Sequence, residues 1–195
     1  MLGSHGLKDK QHPYDESVCT PLLLRWPAAF GSQARVDPAP FSAPDFMPTL
    51  LGLCGVPIPD TVEGFDHSPR LRGERALAAG PAYLACFRPH HQVHYRDFGR
   101  DWRGLRTERY TFIRDPDGPW LLFDNQEDPF QMRNLLGYPA AQPLRRRLDR
   151  ALDRLLARRA DAFETGAELC RRYEIAVDAT EDIACGQFAP GREEM

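Results

Sequence analysis

The residues best able to do chemistry crowd into the first seventeen positions. MLGSHGLKDKQHPYDES holds His5, Lys8, Lys10, His12, Asp15 and Glu16 in one glycine-containing stretch. Lys10 stands out because its Gly/His loop runs straight into an apolar segment, and loops at strand ends are where α/β folds bind ligands. A lysine there is a compact cation with three donors, suited to an oxyanion such as sulfate or phosphate. Composition alone would leave Lys10, like Lys8, as an ordinary surface lysine. His5 and His12 are candidates for metal binding or proton transfer. They make no H-x-x-x-H pair, and a spacing of seven is no recognised ligand pattern. Taken singly, each reads as a hydrogen-bonding loop histidine, and no metal-ligand set is assigned.

Other groups are weaker. His90, His91 and His94 in HHQVH offer two ligands on one strand face, but a strand or loop surface explains them as well. Asp15 and Glu16 are adjacent, so on an extended chain they face opposite ways and make a poor acid/base pair. Backbone capping or a link to Lys10 is the simpler role. Cys19-Thr20-Pro21 opens like C-x-P-x-R, the motif whose cysteine is oxidised to formylglycine. Leu23 occupies the arginine position and Arg25 comes two residues late, so the cysteine reads as a decoy. The five cysteines at 19, 54, 86, 170 and 185 are odd in number and contain no C-x-x-C pair. They are expected as reduced thiols, with Cys170–Cys185 the one bridge to check.

Elements must position these residues. A chain of 195 residues, 42% apolar and 27% charged, bounds one domain or part of one. Its 18 prolines and 15 glycines call for many turns. A net charge of −3, from 25 basic and 28 acidic residues, gives no reason to expect nucleic acid or an anionic membrane as partner. No apolar run reaches membrane-spanning length. Val18–Trp26 (VCTPLLLRW) is a continuous apolar run and predicts a strand; Pro21 places it at a sheet edge or strand start, while the run itself suggests burial on both faces. Asp45 is expected to cap a helix over FMPTLLGLC, with Gly55 as its stop.

Short strands follow at 81–87, 93–98, 102–107, 110–114 and 120–124. The DPDG turn, residues 115–118, joins two of them as a hairpin. The alternation in YTFIR suits a sheet covered on one side. EDPFQMRNLL reads as a turn leading to a short helix. Leu144, Leu148, Leu152, Leu155 and Leu156 recur at helical spacing and predict a helix over 142–163. The arginines on its other faces read as a solvated surface with i,i+4 partners such as Asp149–Arg145, in preference to an anion site. YEIAV is a strand candidate and GREEM a frayed end. The fold class expected is α/β, turning to α+β in the C-terminal part. Three parts are expected: 1–75, 76–163, and a tail at 164–195 of unassigned role.

Taken together, the motifs resemble one family. Gly3, His5, Gly6, Leu7, Lys10, Tyr14, Asp15, Glu16, Ser17, Pro21, Leu22, Leu23, Trp26 and Pro27 follow the sulfatase pattern G-x-H-G-L-x-x-K, then Y-[DE]-E-S, then a P-L-[LI] strand ending in W-P. DFMPTLLGLCGVPIPD resembles the helix after that strand. LRTERYTFIRDPDGPWLLFDNQEDPFQMRNLLG resembles the family's C-terminal antiparallel sheet and closing turn. The resemblance implies an arylsulfatase-like sulfuric-ester hydrolase of the alkaline phosphatase superfamily. Residues 1–75 would end its mixed α/β sheet, and 76–163 would form a small antiparallel sheet packed with a helix.

The family works with a formylglycine hydrate as nucleophile and a divalent cation, usually calcium. Lys10 matches the lysine that contacts the sulfate and stabilises the leaving oxygen; His5 and His12 are carried over as substrate-binding candidates. The nucleophile motif and metal ligands would lie before Met1. The expectation is therefore an N-terminally truncated chain, inactive alone, with a complementing N-terminal half as implied partner. A sulfate-ester small molecule or sulfated glycan is the implied substrate. A phosphonate or phosphate-ester hydrolase and a non-catalytic assembly module are the alternatives. The missing signal peptide would indicate cytoplasm, but a truncated start removes its force, and localisation stays open.

Overall fold

A computed structural model describes residues 1–74, 80–90, 99–178 and 183. Its centre is a four-stranded antiparallel sheet with strands in chain order: β1 (Ala82–Cys86), β2 (Trp102–Arg106), β3 (Tyr110–Asp115) and β4 (Gly118–Asp124). Strands adjacent in sequence pair with one another in a meander, through short turns from β2 to β3 and from β3 to β4 and a longer connection, residues 87–101, from β1 to β2. The DPDG hairpin forms as expected: Asp115 pairs with Gly118, Gly118 takes φ 124°, and the Asp115 carboxylate accepts from the Asp117 N–H at 3.0 Å. The strand expected at 93–98 lies outside the described residues, as do His91 and His94.

The helices are α1 (Asp15–Val18), α2 (Pro27–Phe30), α3 (Phe46–Cys54), α4 (Ser68–Leu71), α5 (Gln142–Arg158) and α6 (Gly166–Arg172). α3 starts and stops where expected. Asp45 precedes the helix without capping it, which corrects the expectation: its carboxylate is taken by the Ser42 N–H at 2.7 Å and the Phe65 N–H at 2.8 Å and makes no bond to the first turn, while Gly55 closes the helix at φ 68°. α5 stops at Arg158, five residues short of the expectation. Ala160 and Phe163 adopt positive φ, and the reversal carries Asp161 to Arg103 (2.7 Å) and Tyr83 (2.6 Å). Arg103 has no exposed surface and lies between the rings of Phe87 and Phe163. A buried guanidinium needs such a partner.

The sheet is covered on both faces, which corrects the one-sided expectation. On one face Leu105, Phe112 and Leu122 pack against Leu148, Leu152, Leu155 and Leu156 of α5. On the other, Trp102, Ile113, Leu121 and Phe123 meet Tyr14 and Val18 from the N-terminal segment. The alternation in YTFIR misled because Phe112 and its neighbour Ile113 are both large and apolar, so each face of β3 has something to bury.

Val18–Trp26 is not a strand. Val18 ends α1, and the residues after it are irregular and exposed, with Leu23 91% exposed. A strand needs a neighbour for its N–H and C=O groups, and among the described residues none runs beside this segment. Pro21 removes a further donor. Among the described residues YEIAV likewise contributes a single bridge, Val177 to Ile183. Cys170 is a buried free thiol, as Cys19, Cys54 and Cys86 are free, so the Cys170–Cys185 bridge is not formed; Cys185 and GREEM lie outside the described residues. Among the described residues no helix is long and apolar enough to cross a membrane.

Candidate functional site

The first fourteen residues fold into a knot of unusual backbone. The Met1 ammonium donates to the Asp9 carbonyl at 2.6 Å, and Asp9 N–H returns to the Met1 carbonyl at 3.1 Å. Leu2 bridges Lys8, and Gly3 N–H donates to Leu7 at 2.9 Å. Inside this closure Gly3, His5, Gly6, Asp9 and Gln11 all have positive φ. Left-handed backbone costs a residue with a side chain about 1–2 kcal/mol, so His5, Asp9 and Gln11 hold it only because contacts elsewhere over-determine the loop.

Those contacts can be followed residue by residue. His5 stacks on Tyr14 with ring centroids 4.0 Å apart, and Tyr14 leans on Phe123 of β4. The Gln11 side chain exchanges two hydrogen bonds with the His90 backbone, at 3.1 and 2.9 Å, while its carbonyl accepts from the Trp102 indole at 3.0 Å. His12 is 8% exposed. Burial lowers its pKa below the ordinary imidazole value, only partly opposed by its backbone bond to Lys8.

Lys10 is exposed, as Lys8 and Asp9 before it are, whereas Gln11 and His12 after it turn inward. Its Nζ lies 3.5 Å from the Glu16 carbonyl and 3.4 Å from the Ser17 carbonyl, at the outer limit of a hydrogen bond. Among the described residues no carboxylate pairs with it. The expected link from Asp15 to Lys10 is therefore not made, because Asp15 is taken by Arg106, at 3.2 and 3.0 Å. Of the three sequence candidates, Lys10 alone offers a free charge to solvent. His5 is half-buried against Tyr14, and His12 faces inward.

Sequence reading missed the residues that fasten this loop to the sheet. Gln131 is 2% exposed at φ 55°. Its amide accepts from the Asp15 N–H at 2.7 Å and donates toward Asp15 Oδ1, Asn125 Oδ1 and Thr111 Oγ1, at 3.2, 2.8 and 3.3 Å. Nothing in the residue type announces this: a glutamine in a charged turn is normally solvated, and only the positive φ turns it inward. Two surface depressions, about 320 Å³ beside Arg114 and Phe163 and about 180 Å³ beside Tyr83 and Arg159, include none of Lys10, His5 or His12.

The comparisons with known proteins agree with one another. Residues 3–158 match the family described as N-sulphoglucosamine sulphohydrolase, C-terminal. An ulvan-active sulfatase of Formosa agariphila is 33% identical over 175 residues, covering 89% of this chain and 34% of the relative. An endo-4-O-sulfatase of Bacteroides thetaiotaomicron is 37% identical over 139 residues, covering 65% and 27%. A solved structure in complex with its substrate, D-glucosamine-2-N,6-O-disulfate, superposes at TM-score 0.67 and 26% identity, over 83% of this chain and 33% of that one. The chain thus spans about a third of the length of these relatives.

Proposed function

This chain belongs to the sulfatases of the alkaline phosphatase superfamily, as their C-terminal part, and from that membership we propose that it supplies the lysine side of a sulfate-ester hydrolase. The observation carrying the proposal is the state of Lys10, an exposed ammonium without a carboxylate partner on a loop otherwise held at every step. Composition adds weight. Of 25 basic residues only Lys8 and Lys10 are lysines, and both fall in this loop. A chain that uses arginine everywhere else keeps a compact, rotatable ammonium here.

Hydrolysis of a sulfate ester breaks an S–O bond and leaves negative charge on the departing oxygen. A cation already aimed at that oxygen lowers the barrier without having to reorganise. In this reading the Glu16 and Ser17 carbonyls orient Nζ, and the Gln11 and Tyr14 anchors keep the loop from yielding. His5 stands at the rim as a second donor. His12, buried with its proton affinity lowered, acts on the substrate only through the loop it supports. The substrate class is a sulfated glycan or small sulfate ester. The chain's three-part division, 1–75, 76–163 and 164–195, belongs to the same proposal.

Calcium and formylglycine do not fit these residues. Among the described residues no group of three or more His, Cys, Asp or Glu side chains stands close enough to hold a cation. The Cys19 thiol has its pKa raised by partial burial and by Asp15, the opposite of an activated cysteine. No step is assigned to either group, and the proposal leaves both to polypeptide beyond this chain.

The test joins this chain to the N-terminal part of the Formosa sulfatase in place of the matching region and measures arylsulfate turnover. A folded chimera should hydrolyse arylsulfate, and Lys10→Ala should slow it at least tenfold, about 1.4 kcal/mol in the barrier. A folded chimera without turnover, or a smaller loss, sinks the proposal.

A further inference from the structure

Five arginines line the outer side of α5: Arg146, Arg147, Arg150, Arg154 and Arg158, all exposed. At about 100° per residue they fall within an arc of about 120°, opposite the leucines that face the sheet. Four of them step by i,i+4 over about 18 Å of helix. The arc contains no acidic residue. The acids of α5 lie on the adjoining flank, and β3 has claimed them: Arg114 pairs with Asp149 at 3.0 Å and Asp153 at 2.8 Å. The expected Asp149–Arg145 partnership is thereby replaced, and the ridge is left uncompensated. None of its five guanidiniums has a hydrogen bond or ion pair among the described residues.

A solvated helix face normally mixes signs, because like charges four apart repel each other. Arg158 has a local reason to be cationic, standing in the last turn where the helix dipole favours positive charge. The other four have none. Nor is the ridge a sample of a basic protein, since the whole chain carries −3. A row of forked donors, linear and unpaired, matches an extended polymer of oxyanions better than one small anion, each guanidinium taking a sulfate or carboxylate through two parallel bonds.

We infer that the outer ridge of α5 binds a sulfated polysaccharide, as an anchoring surface separate from the Lys10 loop. The identity of the polymer rests on the sulfatase reading above; the ridge itself does not. Neither surface depression, and no residue assigned to sulfate chemistry, belongs to it.

The test uses the full chain and labelled dextran sulfate, with uncharged dextran, single-stranded DNA of equal charge and phosphatidylserine vesicles alongside. Dextran sulfate should bind with an affinity that falls steeply as salt rises. The variant R146Q/R150Q/R154Q/R158Q should lose about tenfold or more and flatten the salt slope. It leaves the buried face untouched and removes mutual repulsion, so its circular dichroism should stay that of the parent. A control removing the same four charges elsewhere, R25Q/R35Q/R133Q/R171Q, should lose less than about threefold. Equal losses in the two variants, absence of binding at physiological salt, or tighter binding to DNA or vesicles than to dextran sulfate overturns the inference. Binding needs no turnover, so the two proposals fail separately. Ridge-dependent binding beside an inactive chimera removes only the catalytic reading, and an active chimera with ridge-independent binding removes only this one.

Discussion

The two faces of the sheet are covered by different kinds of interaction. On the helix face, α5 lays four leucines over Leu105, Phe112 and Leu122, and burial of apolar area does most of the work. On the loop face the cover is a strained coil. Its apolar contribution is small, chiefly Tyr14 and Val18, and its position depends on discrete polar contacts: Gln11 to His90, Trp102 to Gln11, Gln131 to Asp15, and Arg106 to Asp15. One face is held by area and tolerates imprecision. The other is held by geometry, as a loop must be if it is to aim a charge.

The largest effects should come from the face held by area. Phe112→Ala removes a ring with no exposed surface from the centre of the helix-face cluster. A loss of about 3–5 kcal/mol is expected, seen as a lowered denaturant midpoint with both sheet faces melting together. If the loop face melted separately while the helix face stayed intact, the contrast between them would be wrong.

Asp161→Ala comes next, and it probes the buried ion pair at the end of the helix face. Arg103 would keep its buried position and lose its carboxylate, and Tyr83 would lose its acceptor. Breaking a buried pair by removing one partner costs about 3 kcal/mol or more. Thermal denaturation of the variant measures it; a loss under about 1 kcal/mol would mean that the guanidinium finds water instead.

Gln131→Ala should cost about 2 kcal/mol, since it orphans the Asp15 N–H and loosens Asn125 and Thr111. The cost should be local. Hydrogen exchange should speed up across residues 10–18 and stay slow in β2 and β3. Uniform acceleration would place Gln131 in the common core and erase the distinction.

Acid should separate the faces as well. His12 has a lowered pKa, chiefly through burial. The unfolded chain therefore takes the proton first, and the stability that neutral His12 contributes is complete above its ordinary value of 6.5 and drains as pH falls through it. Asp161 lies below the ordinary carboxylate range: burial works against its ionisation, but the bonds from Arg103 and Tyr83 outweigh burial. Its contribution is complete above the unfolded value near 3.8 and is lost as pH falls toward the depressed folded value. Loop-face tryptophan emission, from Trp102 and Trp120, should thus change as pH falls below about 6.5, before the helix-face circular dichroism moves below about pH 4. His12→Gln should remove the first change and leave the second.

How much was visible in the residues follows the same divide. The helix face was legible because periodicity encodes it: leucines at three and four along 144–156, short apolar strands, and DPDG between two of them. Periodic burial is a repeated signal, and single exceptions do not erase it. The loop face was legible only as a cluster of polar and charged residues ahead of an apolar run. Its fastening depends on Gln131 turning inward at positive φ and on Asp15 choosing Arg106 over Lys10, and neither choice recurs along the chain. The misread strand at Val18–Trp26 shows the converse limit. Apolar composition states that a segment is to be covered, but not by what, and a strand exists only where a neighbour offers a ladder.

The smallest stability effect should belong to Lys10, the residue proposed to contact the sulfate. Lys10 is exposed, and its two contacts are main-chain carbonyls at 3.5 and 3.4 Å. Lys10→Ala should therefore shift unfolding by no more than about 0.5 kcal/mol, read as an unchanged melting midpoint in the isolated chain. Gln131→Ala, which leaves the ammonium in place, should destabilise more and, in the active chimera, impair turnover only through a loosened loop. An unchanged midpoint would leave the Lys10 ammonium free for the role proposed for it. If Lys10→Ala instead unfolded the loop, its ammonium would be another fastening like Gln131, and the separation between the charge that is aimed and the contacts that aim it would disappear.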